Sequence, residues 1–307
     1  MSRVKIKRAV ILATVSLSII LFSMIIVYNG EITASNDQAA VSPVSFLPVI
    51  HKAWACPNNS TNGYAAGSAF QYDQDNPVRP AWNHADKNLD LRSFTPISDS
   101  NLQRRLVNYG SDDPNQPPQF ATLVKPVRVP ELNGFYQIGQ WIWAPSPDPG
   151  WLASPISQPK VTALGLKLDF GEAVYVPASG YDIGGGMEVL ILYADENSVT
   201  LRYTREDSAG SSGYTVFLDH ICTDPSLLEL YRNYDNPNGP RYQYVQPEMR
   251  PYSYNLPNLP AGEVLGTVIG GELVVAISDS GRFWDPRSCY EWWQIRPGYS
   301  DGCPDPE

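Results

Sequence analysis

The stretch Met187-Glu188-Val189-Leu190-Ile191-Leu192-Tyr193, followed by Val199-Thr200-Leu201-Arg202-Tyr203, decides the fold class. Both runs are short and rich in aliphatic and aromatic residues, and a polar segment separates them. Short runs of this composition, bounded by turn-forming residues, are typical of β-strands. We therefore predict two strands here.

The same pattern continues outward, because Gly, Pro, Asn and Asp separate most of the other apolar runs and no long amphipathic helix occurs. In the second half it predicts further strands at 161–170, 173–176, 214–219, 264–268 and 272–277. In the first half it predicts strands at 120–124 and 137–144. The chain is therefore expected to be mostly β.

One short helix is predicted at 225–233. Asp224 suits the N-cap of this helix, and Pro225 suits its first position. The residues that share its apolar face are Leu227, Leu228 and Tyr231.

The N-terminus carries the features of an exported protein. Four basic residues, Arg3, Lys5, Lys7 and Arg8, stand directly before an uncharged run at 9–28. This order holds the N-terminus on the cytoplasmic side, so that the following chain crosses the membrane. At about 1.5 Å per residue the run reaches about 30 Å, enough for a bilayer core, while Ile32-Thr33-Ala34 resembles a cleavage site. Residues 1–34 are thus either a membrane anchor or a signal peptide.

The rest of the chain divides into four regions by composition. Residues 35–57 are expected to be a tether, and 58–159 an irregular β-rich region. Residues 160–295 carry the regular strand pattern of a domain, and 296–307 form a tail.

Charge and cysteine content narrow the partners and the compartment. The net charge is −10, and no large Lys/Arg cluster follows residue 8, so nucleic acid and anionic lipid surfaces are not expected partners. Four cysteines in an exported chain predict two disulfides. The short loop favours Cys289–Cys303, which leaves Cys56–Cys222, whereas free buried cysteines are the alternative.

Three sequence strings carry a family resemblance. They are Leu168-Asp169-Phe170-Gly171-Glu172-Ala173-Val174-Tyr175-Val176-Pro177-Ala178-Ser179-Gly180, Pro260-Ala261-Gly262-Glu263-Val264-Leu265-Gly266 and Phe283-Trp284-Asp285-Pro286. In this order, over about 160–290, they resemble the lysostaphin-type zinc endopeptidases, which cut peptidoglycan cross-links. The resemblance implies a barrel-sandwich hybrid fold. The same region also resembles a group of uncharacterised bacterial exported proteins, through strings such as Gly180-Tyr181-Asp182-Ile183-Gly184-Gly185-Gly186.

The chain departs from this peptidase family at the metal site. Zinc hydrolysis of this kind needs two imidazoles and a carboxylate on the metal, with a further histidine to assist proton transfer. The corresponding positions and the neighbouring strand tyrosine are occupied by Gly165, Asp169, Tyr203, Arg205, Glu272 and Val274. The three histidines of the chain, His51, His84 and His220, lie elsewhere. The resemblance therefore implies a peptidase-like domain without its zinc site, and no cofactor is expected.

Other constellations give weaker hypotheses. His84 and Asp86 could face one side of a strand, but two ligands do not make a metal site, and a hydrogen-bonded structural pair is favoured. His220 is expected at the surface. The glycines at 184–186 precede a strand rather than a helix, which favours a turn over a phosphate loop. Paired carboxylates for glycoside hydrolysis have no distinctive pattern among the many acids.

Aromatic residues provide the last candidate set. Aromatic residues spaced two apart stack on one face of an extended segment, where they fill a core or hold a sugar. Pairs with this spacing include Trp141 with Trp143, Tyr242 with Tyr244, and Tyr252 with Tyr254.

Taken together, these patterns favour an exported, envelope-associated binding or scaffolding protein with a non-catalytic peptidase-like domain. Its expected partners are a cell-wall glycan or an envelope protein, and the membrane through the N-terminal segment. One alternative is a cell-wall hydrolase with a non-zinc site, for which acidic and histidine side chains should converge in a cleft. Another is a carbohydrate-binding module, for which the aromatic rings should be exposed and coplanar.

Overall fold

The computed structural model describes residues 56–70, 81–109, 117–145, 148–203, 213–235, 253–279, 281–298 and 303. Ala53–Glu307 form one compact unit. The predicted anchor or signal at 1–34 and nearly all of the tether lie outside the described residues. Where the structure describes the chain, no helix is both long and apolar enough to cross a bilayer.

The described residues form fourteen strands, which confirms the mostly β prediction. They are β1 (Ala65–Phe70), β2 (Phe94–Pro96), β3 (Glu131–Ile142), β4 (Trp151–Pro155), β5 (Ala163–Lys167), β6 (Ala173–Tyr175), β7 (Val189–Ala194), β8 (Ser198–Arg202), β9 (Tyr214–Asp219), β10 (Ile221–Thr223), β11 (Ser253–Leu259), β12 (Val264–Val268), β13 (Glu272–Asp279) and β14 (Arg282–Phe283). All the strands predicted in the second half are present, with boundaries shifted by a few residues.

Eleven of these strands form one antiparallel sheet in the order β1-β11-β7-β8-β9-β13-β5-β3-β2, with β14 beside β13 and β4 beside β3. The described sheet is open, with β1 and β2 at its edges. Strands β10, β12 and β6 form a second, small sheet. Strands β1 and β3 come from the irregular first half of the chain, yet they pair with β11 and β5 of the second half, while β2 pairs with β3.

The large sheet is buried on both faces near its centre. Along β13, Leu273, Val275 and Ile277 enter the main core, which also takes residues of the small sheet such as Val174 and Leu265. The alternate residues of β13 face the other way, into a second cluster of Leu89, Ile138, Ala163, Phe217, Val274, Ala276 and Phe283. Because strands bury successive side chains on opposite faces, β7 reads as a continuous apolar run, and every residue of β8 is buried, including Ser198, Thr200 and Arg202.

The helix predicted at 225–233 is present as α1, Pro225–Tyr234. The carboxylate of Asp224 caps it by accepting from the backbone N–H groups of Ser226 and Leu227. The predicted apolar face is also confirmed, since Leu227, Leu228 and Tyr231 are buried. It is the one helix of more than four residues that the structure describes; α2 is the single turn Cys289–Trp292.

The strand predicted at 120–124 is wrong. Phe120–Leu123 is a 3₁₀ helix, in which Thr122 donates to the carbonyl of Gln119 through its backbone and through its hydroxyl. Other 3₁₀ turns lie at Ala81–Asn83 and Leu89–Arg92. Phe120, Ala121 and Leu123 are fully buried, and a short buried apolar run does not show its secondary structure by periodicity.

The favoured disulfide pairing is confirmed. Cys56 pairs with Cys222 at a Cα–Cα distance of 5.3 Å, and Cys289 pairs with Cys303 at 6.0 Å. The first bond ties the start of the described chain to β10, and the second ties the C-terminal end to α2.

Candidate functional site

Three of the positions that the peptidase resemblance assigns to the zinc site and its assisting histidine lie side by side on the large sheet. Gly165 is in the middle of β5, and its register partner on β13 is Val274. Glu272 lies two residues before Val274 and therefore on the same face of β13. The fold thus brings these three positions together.

The carboxylate of Glu272 fills the space above Gly165. A Cβ atom at residue 165 would lie 2.5 Å from Cδ of Glu272 and 2.8 Å from the backbone nitrogen of Gly134. Gly134 is the register partner of Gly165 on β3, and a Cβ atom there would lie 2.8 Å from Oε2 of Glu272. The two glycines therefore form a cradle that admits the carboxylate and excludes any side chain at residue 165.

Two donors from β3 hold this carboxylate in the cradle. The hydroxyl of Tyr136 donates to Oε1 of Glu272 at 2.6 Å, and Nδ2 of Asn133 donates to Oε2 at 2.7 Å. Burial raises the pKa of Tyr136, and the hydrogen bond to Glu272 raises it further. The phenol therefore stays protonated and remains a donor.

The other predicted positions do not join this cluster. Asp169 is exposed just after β5, and its backbone nitrogen donates to Glu172, which forms an ion pair with Arg128. Tyr203 is fully buried in the main core, on the opposite face of the sheet from Val274, and its hydroxyl donates to the carbonyl of Pro177 at 2.9 Å. Arg205 lies outside the described residues.

This donor set does not fit a zinc ion. Gly165 and Val274 have no ligand atom, and both oxygens of Glu272 already accept hydrogen bonds. A catalytic zinc site takes three protein ligands. In the part of the chain that the structure describes, no group of three His, Cys, Asp or Glu side chains could hold a metal.

The aromatic candidates at the end of β3 are inclined to each other. The rings of Trp141 and Trp143 lie 6.3 Å apart at an interplanar angle of 67°. Trp141 donates its indole N–H to the carbonyl of Pro149, and Trp143 packs 4.9 Å from the ring of His84. This pair therefore does not form a flat platform for a sugar. Tyr242 and Tyr244 lie outside the described residues.

The histidine and glycine candidates occupy structural positions. His84 is buried, and its Nδ1 accepts from the backbone of Asp86, whose carboxylate forms an ion pair with Arg92. His220 is exposed in the turn between β9 and β10, with a φ of 63°. The glycines at 184–186 all have positive φ and form a turn before β7. His51 lies outside the described residues.

An acidic cluster was not singled out from the sequence. Asp90, Asp195 and Asp219 come from three separate segments and interact electrostatically near His220. Asp90 is exposed to solvent on one side, but neighbouring protein atoms desolvate it, and the charges of Asp219 and Asp195 add to this effect, so that its pKa rises to about 6. Burial also raises the pKa of Asp219. No sequence signal marks this cluster, because only the fold brings its members together.

Asp195 has a structural role within that cluster. Its Oδ1 accepts from the backbone of Asn197 and from both the backbone and the hydroxyl of Ser198, which closes the turn between β7 and β8. Its Oδ2 accepts from the hydroxyl of Tyr193 at 2.8 Å. Asp90 and Asp219 are therefore the members left for proton chemistry.

Comparisons of the chain with protein-family models, with curated proteins and with solved structures find no match. The peptidase resemblance therefore rests on the sequence strings alone.

Proposed function

We propose that the protein is an exported, envelope-associated binding or scaffolding protein whose peptidase-like domain does not catalyse zinc-dependent hydrolysis. The observation that carries this proposal is the Glu272 carboxylate lying in the cradle of Gly134 and Gly165. A histidine at residue 165 would collide with this carboxylate, and a metal would have to compete with Tyr136 and Asn133 for its oxygens. The site is thus built to hold a carboxylate in place.

Two features support the extracytoplasmic location. Both cysteine pairs are at disulfide distance, and disulfides persist in oxidising compartments. The basic residues before the apolar run at 9–28 provide the export signal. An acidic, disulfide-braced domain outside the membrane can meet cell-wall glycan or an envelope protein, which are the partners we propose.

The test is co-sedimentation of the purified chain with purified peptidoglycan, run beside a pull-down from envelope fractions. We expect the chain to pellet with the peptidoglycan or to capture an envelope protein, while the peptidoglycan stays intact. Release of soluble peptidoglycan fragments would contradict the proposal. A chain that neither pellets with peptidoglycan nor captures an envelope protein would also contradict it. Hen egg lysozyme provides the positive control for fragment release.

A hydrolase with a carboxylate site is the second candidate, and the acidic cluster favours it. A glycoside hydrolase needs one protonated and one ionised carboxyl group, and a pKa of about 6 leaves about a tenth of Asp90 protonated at pH 7. This alternative predicts that the wild-type chain digests peptidoglycan and that Asp90→Asn abolishes the digestion. If neither protein releases fragments, the hydrolase alternative fails, and the co-sedimentation and the pull-down decide the binding function.

A further inference from the structure

A cleft of about 680 Å³ opens beside β14 of the large sheet. Its walls come from three separate segments, with Tyr109 from the first, residues 158–160 from the second, and residues 282–291 from the third. This volume lies within the range of small-molecule sites, roughly 300 to 1,000 Å³. The cleft is distinct from the Glu272 cradle, because the two share no residue.

An aromatic ring lines the cleft on a fixed backbone. Trp284 directly follows β14 and keeps 37% of its surface exposed. Its backbone nitrogen donates to the carbonyl of Ile277 on β13 at 3.1 Å. An exposed tryptophan on a rigid support presents a flat apolar face to a ligand, as required for stacking on a sugar ring.

The cleft also contains a cation that takes part in no ion pair among the described residues. Lys160 forms an ion pair with Asp99, and Asp285 forms a buried pair with Arg287 at 2.8 Å. Arg282 is exposed and forms no ion pair with a described carboxylate, although Asp279 is its register partner on β13 and Glu291 also lines the cleft. In a chain of net charge −10, a guanidinium in this setting favours an anionic group on the ligand, since its fork matches a carboxylate.

The wall behind Trp284 is preorganised. The indole N–H groups of Trp292 and Trp293 donate to the carbonyls of Asp285 and Pro286 at 2.9 Å and 2.8 Å. The hydroxyl of Ser288 donates to the carbonyl of Tyr109, which joins two of the three segments. A ligand would therefore meet a surface that needs little ordering on binding.

We propose that this cleft binds a saccharide that carries a carboxylate, with a sugar ring on Trp284 and the carboxylate on Arg282. The inference rests on the proposed binding function and gives it a site and a ligand class. The exposed ring of Trp284 accounts for binding of a sugar ring by stacking. The guanidinium of Arg282, which has no described ion pair, accounts for a preference for sugars that carry a carboxylate.

The test is a titration of the full chain with tetragalacturonic acid and with the neutral chitotetraose, followed by calorimetry. We expect tetragalacturonic acid to bind more tightly than chitotetraose by about tenfold, because the charge-assisted contact is lost with the neutral sugar. Arg282→Gln should weaken binding of the acidic oligosaccharide by about tenfold and abolish the preference. Trp284→Ala should weaken binding of both oligosaccharides.

Trp151→Ala is the matched control, because Trp151 is an exposed tryptophan that does not line the cleft. It should leave both affinities unchanged. Equal affinity for the two oligosaccharides, no binding of either, or equal effects of Trp284→Ala and Trp151→Ala would overturn the inference. If peptidoglycan or envelope capture persists while tetragalacturonic acid fails to bind, this inference fails and the binding function remains.

Discussion

Glycine is the only residue that fits at position 165. A methyl group at this position would lie 2.5 Å from Cδ of Glu272 and 2.8 Å from a backbone nitrogen. We predict that Gly165→Ala lowers the free energy of unfolding by about 2 kcal/mol, the usual cost of overpacking. Chemical denaturation with the disulfides intact measures this change.

Gly63→Ala is the control, because a methyl group there meets no atom within 4 Å. It should be close to neutral. The cost of Gly165→Ala should also fall by about 1 kcal/mol in a Glu272→Ala background, since the two side chains compete for the same space. Full additivity of the two substitutions would show that the carboxylate does not occupy the cradle.

Asp90 gives a prediction for pH. Its pKa in the folded chain, about 6, lies above the ordinary aspartate value, so the folded state binds more protons than the unfolded state between about pH 4 and pH 6. The free energy of unfolding therefore falls as the pH rises through this window. Asp90→Asn should stabilise the protein at pH 7 by about 1 kcal/mol, a value discounted for the exposure of this residue, and this gain should vanish near pH 4.

Denaturation curves at pH 4 and pH 7 test this prediction. Asp169→Asn is the control, because Asp169 is an exposed carboxylate outside the acidic cluster. A gain at pH 7 that is equal for both variants would contradict the electrostatic origin in the cluster.

Individual residues could be predicted from the sequence only where the cause is local. Asp224 as a helix cap and Gly184 to Gly186 as a turn depend on their immediate neighbours. Glu272 was singled out by its position in a family pattern, but its hydrogen-bond partners Tyr136 and Asn133 are 136 and 139 residues away. Contacts over such separations leave no trace in a single sequence, so the cradle emerged only with the fold.

At the scale of elements, α1 depends on its N-cap. The Asp224 carboxylate accepts from two backbone N–H groups of the helix and also from Oγ of Ser60 and Nδ2 of Asn62, both at 2.8 Å. We predict that Asp224→Ala costs about 2 kcal/mol of unfolding free energy, the upper end for an N-cap, because it also frees the segment at 60–62.

Glu229→Ala on the exposed side of the same helix is the control and should change the stability by less than about 0.5 kcal/mol. Thermal or chemical unfolding followed by circular dichroism measures both variants. Similar effects of the two substitutions would argue that the cap contributes nothing specific.

Elements with a clear apolar run between turns could be predicted, and they include β7, β8, β9 and β13. Strand β11, Ser253–Leu259, was missed because proline and asparagine interrupt its apolar pattern. Strands β2 and β10 have only three residues each, which are too few to show the alternation of apolar and polar residues that indicates a strand. The 3₁₀ helix at Phe120–Leu123 shows the opposite error, since a buried apolar run was interpreted as a strand.

At the scale of the whole molecule, the two disulfides should differ in their contribution. The Cys56–Cys222 bond spans 166 residues and the Cys289–Cys303 bond spans 14. In the chain-entropy model these loops correspond to about 5 and about 3 kcal/mol. We predict that replacing Cys56 and Cys222 by alanine destabilises the protein more than replacing Cys289 and Cys303. The reverse order in chemical denaturation would show that loop entropy does not control their effect.

For the molecule as a whole, the sequence predicts only the fold class. A mostly β chain with one short helix follows from local patterns. The pairing of β1 and β3 with strands from the second half was not visible, because strand order depends on contacts between distant segments. The cleft beside Trp284 depends on the same long-range assembly.

The central proposal is that Glu272 lies where the resembled peptidases carry a histidine of the zinc centre, in a domain that does not use zinc. The most direct test is the zinc content of the purified chain after incubation with zinc chloride and dialysis, measured by mass spectrometry. We predict no stoichiometric zinc in the wild type or in Glu272→Gln. One zinc ion per wild-type chain that is lost in Glu272→Gln would contradict the claim.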